Sequence, residues 1–224
     1  KTETFKVLGN CGMCQKTIYN IIRLTGDLSI GLEIGGRTEL LSFGMTAYAI
    51  TTCNMLRDTI HVWKQYSEPL LGTVSRINVG GDDNDDMTLT IADPTKASPI
   101  FVFCVEEFFA MVCKLGRAMT GVPHRFRQME FPYPAPAYRS RYEQLFKCPL
   151  HFNAKHARVT LAREWVNRPL LAKDDEFHRI CLTHCSRVLQ QIQHSDPVAL
   201  RLREIFLANP QSTPSLASAA QHLG

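Results

Sequence analysis

The sequence predicts an α+β protein with mostly antiparallel strands and several packed helices. Three observations predict it. Between Pro99 and about Thr120 the apolar positions Phe101, Cys104, Val105, Phe108, Met111, Val112, Leu115 and Met119 recur at helical spacing, which marks a long central helix. Residues 73–79 and 87–91 are short β-branched runs, the second alternating Met87, Leu89 and Ile91 with threonines, and the Gly80-Gly81-Asp82-Asp83-Asn84-Asp85-Asp86 stretch between them is turn chemistry. They read as an antiparallel hairpin. Behind a capping Asp174, Phe177, Cys181, Cys185, Val188 and Ile192 then face inward along a helix that reaches about His194.

Taken in order, residues 3–8 read as a short strand, followed by a loop and a helix that runs to about Leu24, where Gly26 and Asp27 stop it. A glycine-rich loop (Gly31, Gly35, Gly36) leads to a second apolar stretch. Residues 52–66 place Met55, Leu56, Thr59, Ile60 and Trp63 on one stripe and Arg57, Asp58, His61 and Lys64 opposite, as an amphipathic helix would. The four aspartates of the hairpin tip lack the spacing of a calcium loop and its distal Glu, so they read as a solvated turn. Pro99 suits the first turn of the central helix and Gly121 its end. A strand at about 125–131 follows, then a short helix at 136–147 entered through Pro132-Tyr133-Pro134-Ala135-Pro136, and strands near 150–153 and 157–162. Ser195-Asp196-Pro197 starts a further helix through Ala208, and Thr213-Pro214 starts an Ala-rich one ending in Leu223-Gly224.

The composition is that of a soluble globular protein: 45% hydrophobic and 21% charged residues, with no apolar run approaching the ~18 residues of a membrane span. A net charge of +4 is too small and too dispersed to argue for nucleic-acid binding by itself. Lys1 opens no apolar signal-peptide core, and the eight cysteines form no regular framework, so a cytoplasmic location without membrane contact is expected. No nucleophile elbow, phosphate-binding loop, His-Glu-x-x-His or dinucleotide fingerprint occurs, which argues against an enzyme.

Phe131-Pro132-Tyr133-Pro134-Ala135-Pro136, Tyr138, Tyr142, Leu145-Phe146, Cys148-Pro149-Leu150 and Phe152 resemble the N-terminal ligand-binding domain of AraC-type transcriptional regulators, in the branch that includes ornithine-utilisation regulators. Leu24-Thr25-Gly26-Asp27 with Ile30-Gly31-Leu32, and Arg168-Pro169-Leu170, agree with it. The resemblance divides the chain into an effector-binding and dimerisation domain at 19–194 and, at 195–224, a linker helix and the start of a truncated helix-turn-helix whose recognition helix is absent. It implies a small-molecule effector, a homodimer, and contact with DNA only through the missing C-terminal domain. For the effector pocket the expectation is the central helix and its facing strands, with Phe103, Glu106, Glu107, Met129 and Phe131 combining apolar walls with a few charges; a solvated face is the competing reading of the two glutamates. Leu182, Cys185 and Leu189 are candidates for the dimer seam, with packing inside one subunit as the alternative.

Residues 3–18 resemble something else. Their Gly9-Asn10-Cys11-Gly12-Met13-Cys14 loop between a strand and a helix is similar to the start of heavy-metal-associated, copper-chaperone-like domains, and Cys11 and Cys14 at this spacing can both reach one soft ion such as Cu(I) or Zn. The pattern switches at about Tyr19, so residues 1–18 read as a separate segment, a graft whose dithiol is either a metal site or inert. His178, Cys181, His184 and Cys185 also share a helix region at ligand-like spacing, but such residues on an apolar stripe are more often core.

Overall fold

A computed structural model of the chain describes residues 12–67, 76–81, 85–92 and 98–193. The expected strand at 3–8, the start of the hairpin at 73–75, part of its tip and the two tail helices lie outside the described residues. Within them are eight α-helices: α1 (Gly12–Thr25), α2 (Ile30–Gly36), α3 (Met45–Thr51), α4 (Leu56–Val62), α5 (Pro99–Thr120), α6 (Arg139–Phe146), α7 (Arg163–Val166) and α8 (Asp175–Gln193). Strands β1 (Arg76–Gly80), β2 (Met87–Ala92), β3 (Phe126–Glu130), β4 (Leu150–His151) and β5 (Ala157–Leu161) form one sheet in the order β1-β2-β5-β3-β4. All neighbours are antiparallel except β3 and β4, so the expected α+β class is the observed one.

The hairpin forms as its alternation requires, with Ile77 opposite Ile91 and Val79 opposite Leu89. Of its tip, Gly81 and Asp85 are exposed as expected and Asp86 is half-buried. Asp86 accepts hydrogen bonds from the Arg163 backbone N–H at 2.7 Å and from Arg127 Nε at 3.0 Å, so it caps α7 and its carboxyl is held below the usual range, chiefly by the Arg163 amide. The central helix α5 starts where Ser98 Oγ accepts from the Phe101 amide at 3.1 Å and stops at Gly121, which is left-handed. At α8, Asp174 Oδ1 accepts from the Phe177 amide at 2.9 Å, the cap that the sequence predicts.

Two expectations need correction. The glycines 31, 35 and 36 belong to a helix, not a loop: α2 lies directly on α5. A Cβ on Gly31 would come within 2.7 Å of the Phe103 carbonyl oxygen, and one on Gly35 within 2.8 Å of Ala110 Cβ and closer still to the Glu107 carbonyl. Their missing side chains let two backbones touch, a use of glycine that looks like a loop when only local propensity is read.

Residues 52–66 are likewise not one helix. The backbone of 54–56 instead pairs with 168–170, Leu56 N–H donating to the Arg168 carbonyl at 3.0 Å and Leu170 N–H to that of Asn54 at 3.2 Å. Asp58 then caps a fresh start by accepting from the Met55 amide at 3.0 Å, and beyond Val62 the chain widens into a π-helical turn at Trp63–Ser67. Of the face expected to meet solvent, Arg57 is buried against Asn167, while Met55 of the apolar stripe is exposed. A long-range pairing has displaced the local pattern.

One core joins these elements. Phe109 of α5 meets Phe131 edge-on at 6.0 Å, and Phe131 in turn stacks on Phe152 at 5.1 Å and meets Tyr142 of α6 at 5.1 Å. A smaller cluster of Ile18, Phe103 and Cys104 ties α1 to the start of α5.

Candidate functional site

The second half of α5 and the inner side of the sheet do not meet everywhere. Between them and α4 lies a partly open cavity of about 70 Å³. Phe108, Met111, Leu115 and Met119 of α5 form one wall, Ile77, Met87 and Leu161 the sheet wall, and Leu56, Ile60 and Trp63 the third. Trp165 of α7 closes an end, and Gly116 is what admits it: a Cβ there would stand 2.6 Å from the indole Cη2 and Cζ2 atoms. The walls are almost wholly apolar, as the lining of small-molecule sites mostly is.

Its polar complement is small. Thr59 and Lys64 are the polar side chains other than the indoles among the described lining residues, and the Thr59 hydroxyl already donates to the Leu56 carbonyl at 2.6 Å. The indole N–H groups of Trp63 and Trp165 are buried without a hydrogen-bond partner. Sequence reasoning assigned Trp63 to an inward stripe and Lys64 to solvent, and it overlooked Trp165. The two tryptophans were the available signal, since a large ring with one donor seeks an acceptor when buried.

None of the five residues expected at a pocket lines this cavity. Phe103 is buried in the small cluster between α1 and α5, and Met129 sits in the sheet interior opposite Leu150 and Val159. Glu106 and Phe131 are brought together through Tyr142, whose ring meets Phe131 and whose hydroxyl donates to Glu106 Oε1 at 2.5 Å. Tyr138 also reaches Glu106 Oε1, at 2.9 Å, while Oε2 is buried without a partner. Glu106 is fully buried rather than solvated, and burial pushes its carboxyl up to about 7; the tyrosine hydrogen bonds and nearby Arg141 oppose that rise, and Asp27 adds to it. Glu107 is partly buried and is raised by desolvation to about 7 as well.

On α8, Cys185 is only 2% exposed and Leu182 and Leu189 pack against the same core, all within one subunit. Among the described side chains of α8, Ile180 and Phe177 are the large apolar ones exposed, 53% and 41%; Phe177 was expected inward but lies outside, where it meets Tyr48 of α3 edge-on at 6.2 Å. His178 Nδ1 lies 2.9 Å from the Ala49 carbonyl oxygen and 3.1 Å from Thr52 Oγ1, so it joins α8 to α3, while Cys181 is buried in the core. Among the described residues no group of three or more His, Cys, Asp or Glu is placed to hold a metal. Cys11 and the side chain of Cys14 lie outside those residues. Nor is any described helix long and apolar enough to cross a membrane.

Comparison with known proteins agrees with this architecture. The crystal structure of the transcriptional regulator CdpR from Pseudomonas aeruginosa superposes with a TM-score of 0.59 at 15% identity, over 93% of this chain and 68% of that one, which shows a shared fold. The ornithine utilization regulator of P. aeruginosa is 24% identical over 205 residues, 92% of this chain and 60% of its own length. An uncharacterized HTH-type transcriptional regulator of Mycobacterium tuberculosis is 20% identical over 209 residues, again 91% of this chain and 60% of its own length. The chain thus spans about 60% of the length of these curated relatives. Residues 14–170 match the family model described as the arabinose-binding domain of AraC transcription regulators, N-terminal; the chain belongs to this family of regulatory ligand-binding domains.

Proposed function

We propose that the domain senses a small cytoplasmic molecule held in the apolar cavity beside α5, and that occupancy alters how two copies of a regulator sit together and hence how their DNA-binding domains meet DNA. The observation that carries this is the cavity itself, a partly open apolar hollow inside a member of a ligand-binding family. Its walls make the ligand apolar-bodied. A sugar such as arabinose brings several hydroxyls that need partners, and among the described lining residues no carboxylate or amide side chain supplies them.

A thermal-shift screen of sugars, amino acids, fatty acids and aromatic acids tests the reading, because a ligand that binds only the folded state raises the melting temperature. Val112 lines the cavity, and Val112→Phe fills part of it. The ligand is expected to stabilise the parent chain and to lose that effect in the variant. Equal stabilisation of both would put the ligand elsewhere.

Dimerisation is proposed to use the outward face of α8 and its neighbour α3, where Phe177, Ile180, Tyr48 and Met45 expose apolar surface. Replacing Phe177 and Ile180 together by Glu is expected to shift sedimentation from dimer to monomer while leaving the circular dichroism spectrum unchanged. An unaltered dimer would move the seam to another surface.

A further inference from the structure

The chemistry of the cavity narrows its ligand further. We infer that it takes an apolar monocarboxylate, whose hydrocarbon body fills the walls and whose carboxylate pairs with Lys64. This rests on the cavity being the effector site.

The polar groups there are unbalanced in one direction. Lys64 brings a cation that no described residue neutralises, while the indole nitrogens of Trp63 and Trp165 are buried beneath the cavity surface. The one side-chain acceptor among the described lining residues is the Thr59 hydroxyl, and no carboxylate lines the cavity. An amine would meet a like charge and nothing to neutralise its own, and a zwitterion would satisfy one end only. A polyol would bury hydroxyl hydrogens without acceptors. A carboxylate contributes two oxygens and a negative charge while asking for donors alone, and so complements the Lys64 ammonium. The rest of its surface has to be hydrocarbon, because the remaining lining is aliphatic and aromatic.

The molecule carries its own reporter, since its two tryptophans are Trp63 and Trp165 and both line the cavity. Tryptophan emission of the full 224-residue chain would be titrated with octanoate and 4-propylbenzoate, each beside its primary amide, so that chain-like and ring-like acids are compared on equal terms. At least one acid is expected to shift the emission and to bind about tenfold or more tightly than its amide, the size of a lost charge-assisted hydrogen bond. Lys64→Met should remove that preference by weakening the acid alone, and Lys64→Arg should restore it.

If acid and amide bind alike in the parent chain, or if Lys64→Met keeps the preference, the carboxylate assignment is overturned while the cavity remains a binding site. If none of the four probes moves the emission or the melting temperature, the assignment is overturned as well. The wider reading falls separately, when the ligand found by thermal shift stabilises Val112→Phe as well as the parent.

Discussion

Gly35→Ala is expected to destabilise the domain by about 3 kcal/mol, the upper part of the range for overpacking a well-filled core, and so to lower its melting temperature by roughly 6–12 °C. The added Cβ would meet Ala110 Cβ at 2.8 Å and come closer still to the Glu107 carbonyl, which is backbone and cannot rotate away. To relieve it, α2 must lift from α5, and the small cluster around Phe103 that both helices help to cover loosens with it. Gly36→Ala is the matched control. It adds the same methyl one residue on, where nothing lies within 4 Å, and its stability is expected to stay within about 0.5 kcal/mol of the parent. Thermal melts of the two variants followed by far-ultraviolet circular dichroism decide the matter, and equal melting temperatures would remove the close α2–α5 contact from the account.

The second large effect depends on pH. Glu106 has an ordinary carboxyl value of 4.5 once the chain unfolds but about 7 in the folded protein, where burial dominates over the hydrogen bonds from Tyr142 and Tyr138. The folded state therefore holds a proton that the unfolded state has already released, and stability falls as pH rises from about 4.5 through 7. Below that window the glutamate is neutral in both states and costs nothing of this kind. Above it the folded protein carries a buried charge with one oxygen unpartnered.

Glu106→Gln keeps an acceptor for the tyrosines and carries no charge. It is expected to match the parent near pH 4.5 and to exceed it by on the order of 2 kcal/mol at pH 8, about 4–8 °C in melting temperature. Glu107 is raised in the same sense, so part of the slope should survive in the single variant and disappear only when both are replaced. Parallel stability curves for the parent and Glu106→Gln would mean that Glu106 titrates as an exposed carboxylate does.

Much of the fold was legible in the chain. The 99–120 periodicity, the hairpin between 76 and 92 and the Asp174 cap all appear where the pattern put them, because each depends on neighbours a few residues apart. The family was legible too, from the order of the proline corner and the tyrosines that follow it. The candidate site was not. Glu106 and Phe131 were singled out and do share a neighbour in Tyr142, yet that polar knot is buried, while the cavity runs along α5 from Phe108 to Met119.

By itself the sequence determined the α+β class, the places of the central helix, the hairpin and the Asp174-capped helix, and the family to which the chain belongs, since these follow from short-range periodicity and ordered motifs. Only the tertiary structure decided that Gly31 and Gly35 seat one helix on another rather than forming a loop, that residues 52–66 are not one helix, and that the void lies beside Met111 and Leu115 instead of Glu106. The reason is physical: α5 is apolar around most of its circumference, so its pattern says that every side is covered without saying by what. Whether a buried side chain meets another atom, an unpaired donor or empty space depends on elements distant in sequence, and that is settled only when they pack.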